Sequence, residues 1–255
     1  VGASSIINSG NIMQFGTGVT QNDLFFWSPD KSSGQVTAAD LNIDIAGGDK
    51  VILGSMLAGN NQKIQEFRFA DGSSVTFNQL LDRGINVIAF TDPFFGGPTI
   101  DRRFAAWKEI TTIVGNDGFV YDGSGNDQIE DRGVHNFINA GAGVNSITVG
   151  ANTTIQSEAG SNDIITRTGF GTLTVHVSGA VGGTQNNGKD SLNFYTGVTL
   201  ENISVNLNGT DLSIILANGD RVNVTGQASD ESGLRNIGTF RFADGRSYTA
   251  QQLVS

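Results

Sequence analysis

Glu66-Phe67-Arg68-Phe69-Ala70-Asp71-Gly72-Ser73-Ser74-Val75-Thr76-Phe77-Asn78-Gln79-Leu80-Leu81 returns near the end of the chain as Thr239-Phe240-Arg241-Phe242-Ala243-Asp244-Gly245-Arg246-Ser247-Tyr248-Thr249-Ala250-Gln251-Gln252-Leu253-Val254. The likeness extends upstream. Asp40-Leu41-Asn42-Ile43 and Gly48-Asp49-Lys50-Val51 match Asp211-Leu212-Ser213-Ile214 and Gly219-Asp220-Arg221-Val222, and Phe15-Gly16-Thr17-Gly18-Val19 matches Phe194-Tyr195-Thr196-Gly197-Val198. The offset between copies moves only from 179 to 171 to 173, so length differences are confined to loops and one module is duplicated.

Within a copy, Phe67 and Phe69 alternate with Arg68, and Val75 alternates with Phe77, the period of half-buried strands. Asp71-Gly72 and Asp244-Gly245 fall between such runs, where a hairpin turn needs positive φ. Asp71 and Asp244 therefore fit a turn role better than a calcium-ligand role. Arg68 and Arg241 read as solvated strand residues. Asn218-Gly219-Asp220 and Gly47-Gly48-Asp49 supply a second turn per copy. Thr76 with Gln79, and Thr249 with Gln252, fit a capping box ahead of a short helical turn. Each copy is expected to be a small β-meander with a helical cap.

Between the copies, residues 112–171 turn to Gly, Asn, Asp and Ser with isolated Ile or Phe. Gly115-Asn116-Asp117-Gly118-Phe119 and Gly125-Asn126-Asp127-Gln128-Ile129 share a pattern. It is echoed at Gly133-Val134-His135-Asn136-Phe137, Gly143-Val144-Asn145-Ser146-Ile147 and Gly160-Ser161-Asn162-Asp163-Ile164. This resembles the nonapeptide repeat of the RTX, or haemolysin-type calcium-binding, family. The duplicated module resembles the haemolysin-type calcium-binding-protein-related domain that accompanies such repeats; its FADG hairpins, the preceding Ile64 or Ile237 and the upstream Asp-Leu and Gly-Asp pairs carry that likeness. The resemblances cover most of the chain and leave 86–108 unclaimed.

What they imply is an all-β chain: a short parallel β-roll, a form of β-solenoid, flanked by two duplicated β-meander modules with short helical caps. The divisions expected are 1–85, a connecting or capping segment at 86–111, the roll at 112–175, and the second module at 176–255. An eighteen-residue turn, implied by the family, places Asp117 over His135, Asp127 over Asn145, and Asn145 over Asn162 or Asp163. Calcium takes hard oxygen ligands. The implied metal set is Asp117, Asp122, Gly125, Asp127, Asp131, Gly143, Asn145, Asn162 and Asp163, with a site near Asp127 and Asn145, assisted by Asp122 or Asp131, favoured over full occupancy. Stacked Ile129, Ile147 and Ile164 with Asn ladders could instead hold much of the roll without metal.

Acidic residues outnumber basic ones, 25 to 15, which disfavours nucleic acid and anionic membranes. No apolar stretch approaches the length of a membrane span, no signal peptide is recognisable, and Cys is absent, which excludes disulfides and thiolate chemistry. Gly2-Ala3-Ser4-Ser5-Ile6 fits the last turn of an earlier roll, as expected of a piece of a longer protein. His135 and His176, the only histidines, stand outside any metalloprotease motif, and no nucleophile elbow or P-loop is present. Asp190 reads as a turn residue. Phe90-Thr91-Asp92-Pro93-Phe94-Phe95-Gly96-Gly97-Pro98 either presents aromatics to a partner or plugs the open end of the roll; capping is favoured by the helical spacing of Phe104 and Trp107. Trp27 is the other exposed-aromatic candidate.

The functional expectation is a non-catalytic, calcium-binding structural or adhesive module of a secreted or cell-surface bacterial protein. The resemblance implies export through a type I system. The alternative is a non-catalytic carbohydrate-binding appendage of an extracellular polysaccharide-modifying enzyme. Expected partners are calcium, and either a surface glycan or neighbouring repeats of the parent protein.

Overall fold

The computed structural model describes residues 5–7, 11–29, 40–58, 64–89, 99–101, 107–157, 160–177, 189–227 and 237–255. The protein is mostly β, with short helices at Phe77–Arg83 and Ala250–Val254. It divides into two compact units, Val1–Ile88 with Trp107–Ile110, and Ala89–Ala106 with Thr111–Ser255. The expected 112–175 and 176–255 segments thus fall in one unit. Phe90–Pro98 and Phe104 lie outside the described residues, so the plug expectation has no structural reading.

The first unit carries one four-stranded sheet and four strands of a larger one. In one, the strand order is Ser5–Ile7, Ile12–Gln14, Glu66–Arg68, Ser74–Thr76; the other contains Ile85–Ala89, Leu24–Pro29, Leu41–Ile45 and Asp49–Leu53 as neighbours in that order. Phe67 is fully buried between Met13 and Val75, its partners in register, because alternate residues of each strand face inward. Phe15 stacks on Phe69 with centroids 5.3 Å apart. Thr76 Oγ1 accepts from Gln79 N at 3.2 Å and Gln79 Oε1 accepts from Thr76 N at 2.9 Å. That reciprocal cap starts the helix at Phe77 and seats Phe77 and Leu80 in the core.

The second copy repeats this bond for bond. Phe194 N donates to Arg241 O at 2.9 Å as Phe15 N does to Arg68 O. Asp211 Oδ1 accepts from Gly226 N at 2.8 Å, as Asp40 Oδ1 does from Ser55 N at 2.6 Å. Gly72 and Gly245 share a φ of 86°, the positive value the Asp-Gly turn needs. The carboxylates of Asp71 and Asp244 accept from the amides of Ser73 and Arg246, so both serve their turns.

Between the copies the chain passes back and forth between two stacks of parallel strands. Phe119–Tyr121, Phe137–Asn139, Thr154–Ser157, Thr172–Val177 and Arg221–Thr225 form one; Gln128–Asp131, Val144–Thr148, Ser161–Ile165, Asp190–Asn193 and Ile237–Arg241 form the other. Inward positions stay in register: Val120, Ile138, Ile155, Val175 and Val224 in the first stack, Ile129, Ile147, Ile164, Leu192 and Phe240 in the second, all essentially buried.

This frame corrects the reading of the first repeat. Its core residue is Val120, and Phe119 is 49% exposed; likewise Ile138 is buried and Phe137 lies outside. The physical reason is register: Val120 and Ile138 continue the inward column to Ile155, and strand alternation turns the preceding Phe outward.

Candidate metal centre

Two sets of turns join the stacks, and they stand on opposite edges. Residues 122–127, 140–143 and Gly160 lie on one edge; residues 132–136 and 149–153 lie on the other. Successive turns approach backbone to backbone. A Cβ on Gly141 would sit 1.9 Å from Gly123 O, and one on Gly143 would sit 1.9 Å from Gly125 O. Glycine is required there by space as well as by φ.

On the first edge a ladder of amides and carboxylates runs through the turns. Asn145 Oδ1 accepts from Asp127 N at 3.0 Å, and Asn145 Nδ2 donates to Ala140 O and to Asn162 Oδ1, both at 3.1 Å. Asn162 Nδ2 donates to Ser157 Oγ at 3.0 Å, and Asp190 Oδ1 accepts from Asn162 N at 2.7 Å. All four column residues are at least 97% buried. Asp122 stands where Ala140 and Ser157 stand in later turns, five residues ahead of Asp127, its column partner. Asp122 Oδ1 accepts from Gly123 N at 3.1 Å, while its Oδ2 is buried and has no hydrogen-bond partner. Two buried carboxylates thus share this turn, where later turns pair an amide with a carbonyl or hydroxyl. A buried carboxylate oxygen left without a donor costs desolvation energy unless something positive meets it.

The other residues of the implied set are distributed elsewhere. Asp131 belongs to the opposite edge, and its carboxylate is fully used: it accepts from Gly133 N at 2.8 Å, Asn136 Nδ2 at 2.7 Å and Thr153 Oγ1 at 2.7 Å. It cannot assist Asp127. Asp117 is on that edge too, 71% exposed, at φ 55° and 3.5 Å from His135 Nδ1. Asp163 projects to the outer face because it alternates with Asn162; its Oδ1 accepts from Ser191 Oγ, from Asn193 Nδ2 at 2.7 Å and from Arg241 Nη1 at 2.9 Å. Gly143 O accepts from Ser161 N at 2.7 Å. Among the described residues no group of three or more His, Asp and Glu side chains converges. Of the implied set, Asp122 and Asp127 are the two carboxylates that one buried turn brings together.

Asp190 was missed as a ladder member, and Asn136, whose Oδ1 accepts from Gly118 N at 2.7 Å, was missed as a link between turns on the opposite edge. Asp190-Ser191-Leu192 has the same acidic-x-apolar order as Asp127-Gln128-Ile129. It follows Asn162 after 28 residues instead of 17 or 18, which hid it from a fixed period.

Outside the corners, Glu130 accepts from Arg132 at 2.8 Å and Arg167 at 2.5 Å, and these guanidinium hydrogen bonds hold its carboxyl down at about 2. His176 Nδ1 lies 3.0 Å from Thr225 Oγ1 on the outer face. Trp27 is half-buried, its Nε1 donating to Asp44 at 3.0 Å and Lys50 Nζ lying 4.3 Å from its ring centroid. No helix of the described residues is long and apolar enough to cross a membrane. A scan against protein-family models finds no match, and a search of curated proteins finds none either.

Proposed function

We propose that the parallel winding is a β-roll of the RTX kind, strengthened by one calcium ion, within a non-catalytic structural or adhesive module of a secreted or cell-surface bacterial protein. The observation that carries this reading is the buried Asp122 Oδ2 in a turn that also buries Asp127. Asp122 and Asp127 would hold the ion, with oxygens of the Gly-rich turn completing a hard donor set. Calcium would supply folding energy by binding the folded chain and not the unfolded one. With few carboxylates, its affinity belongs near the millimolar, extracellular end of the range. A chain that is loose in low calcium and folds outside the cell suits type I export. The two histidines lie on different faces of the winding, each beside a hydroxyl, an amide or one exposed carboxylate, which supports a role without catalysis.

The test is thermal unfolding of the full chain with calcium and with chelator. Millimolar calcium should raise the Tm of the parent chain and of Asp71→Asn alike, and leave Asp122→Asn unmoved. No rise in the parent, or an equal rise in Asp122→Asn, would reject the site.

One observation favours the second reading, a carbohydrate-binding appendage. Phe119, Phe137 and Tyr121 form an outward aromatic patch, with ring centroids 6.0 and 5.7 Å apart. Asn139 and Gln156 follow Tyr121 in register along the same face. Rings beside amides suit the apolar face and hydroxyls of a sugar. Retention on a glycan array that disappears in Phe119→Ala would favour this reading; no retention would dismiss it.

A further inference from the structure

The two copies of the module differ at one sheet edge. In the first, Leu24–Pro29 is flanked by antiparallel Leu41–Ile45 on one side and by parallel Ile85–Ala89 on the other, with Trp27 opposite Asn86, Ser28 opposite Val87 and Pro29 opposite Ile88. In the second, the matching strand Ile203–Asn208 pairs with Asp211–Leu216 without a break in register, and is the last strand of its sheet among the described residues.

Exposure records the difference. Ser28 is completely buried, whereas Leu207, at the matching position, is 43% exposed. Ile203, Val205 and Leu207 stand opposite the buried Leu216, Ile214 and Leu212, so all three lie on the core-facing side. Exposed edges are ordinarily defended by charge, proline or a bulge. Ile203-Ser204-Val205-Asn206-Leu207-Asn208 has no charge and no proline, and its pairing shows no bulge. Another terminal strand among the described residues, Asp49–Leu53, opens with the charged pair Asp49-Lys50.

We propose that Ile203–Asn208 is an acceptor edge for one added parallel β-strand, taken from a partner segment with the chemistry of Gly84-Ile85-Asn86-Val87-Ile88. Main-chain hydrogen bonds supply the affinity of such strand addition, and alternate side chains supply its selectivity. In the first copy Ile85 and Val87 are fully buried, and Asn86 Nδ2 donates to Phe26 O at 2.8 Å. The matching acceptor in the second copy is the carbonyl of Val205. The occupant is therefore extended, uncharged, apolar at alternate positions and amide-bearing between them.

The probe is a blocked Gly-Ile-Asn-Val-Ile-Ala peptide carrying trailing lysines for solubility, added to the full chain and followed by amide hydrogen exchange. Exchange at alternate amides of Ile203–Asn208 should slow by about tenfold or more as the peptide saturates. The effect should weaken when Asn in the peptide is replaced by Leu, and also in Leu207→Asp, whose exposed position leaves folding intact. No protection at millimolar peptide, or protection at Asp49–Leu53 instead, would overturn the proposal. Protection of Ile203–Asn208 that grows with protein concentration and ignores the peptide would overturn the named occupant in favour of a second copy of the chain.

Discussion

In the duplicated modules, large rings fill the space between layers: Phe15 stacks on Phe69, Phe194 packs 5.0 Å from Phe242, and Phe67 and Phe240 are wholly buried. In the winding between them, the inward positions carry Ile, Val and Leu, and the corners are closed by buried Asn, Asp, Ser and Thr. The contrast follows from geometry. A meander with a helix laid beside it leaves room for aromatic volume. Two stacks joined every eight or nine residues are filled chiefly by branched aliphatics, and the tight corners bury backbone groups that side chains must satisfy. One region rests on apolar burial, the other on side chains that hydrogen-bond from one turn to the next.

Four experiments sharpen that contrast, taken from the largest expected effect downward. Phe67→Ala and Phe240→Ala should each lose about 3–5 kcal/mol in denaturant unfolding, the cost of a large cavity. A small loss at only one of them would break the equivalence of the copies. Gly143→Ala should lose about 3 kcal/mol, since a left-handed φ of 104° and a Cβ against Gly125 O act together. Gly245→Ala has a φ of 86° and open space around the new methyl, so about 1 kcal/mol is expected from backbone strain alone. Equal losses at the two glycines would show that the corners are not backbone-tight.

Asn145→Ala strands the buried amide of Asp127 and removes two donated bonds. About 2 kcal/mol should be lost, with faster hydrogen exchange confined to the winding. Exchange that speeds up in the modules instead would deny the ladder its local role. The smallest effect concerns Glu130, whose folded pKa of about 2 lies below the ordinary 4.5. A depressed carboxyl stabilises the fold at pH above about 4.5, and that contribution drains away as pH falls toward about 2. Its arginine partners are half-exposed, so about 0.5–1 kcal/mol is at stake. The Tm gap between the parent and Glu130→Gln should close on acidification; a constant gap would contradict the pairing.

Local features were the most legible in the sequence. The Asp-Gly turns, the Thr-x-x-Gln caps and the duplication are written in contiguous residues, and each is found at its quoted position. The stacking of Asp127 over Asn145 and of Asn145 over Asn162 was also legible, because one spacing governs it. The frame at Asp117 was not. Gly-Asn-Asp-x-apolar fits Phe119 as well as Val120 until the pairing of neighbouring strands sets the register. Asp131 was placed beside Asp127, and Asp163 beside Asn162 in the Asn145 stack, by sequence nearness; the length of strand Gln128–Asp131 carries the first to the opposite edge, and strand alternation turns the second outward. The open strand Ile203–Asn208 was invisible for another reason: what covers Leu24–Pro29 comes from 59 residues further along the chain.

Each module contributes three antiparallel strands to its sheet, and three is odd. In the second copy Arg221–Thr225 runs parallel to Thr172–Val177, and two reversals later Ile203–Asn208 points the same way. In the first copy the matching third strand, Leu24–Pro29, again runs parallel to Ile85–Ala89. The insertion is thus parity-neutral: the chain leaves it with the polarity it had on entry. A two- or four-stranded insert would have inverted every later strand and turned its corner residues inside out. Gene duplication or unequal exchange could therefore add or delete such a module at any strand of the winding, leaving the direction and side-chain phase of the remainder unchanged. The lineage could adjust length by recombination alone, without redesigning a single corner.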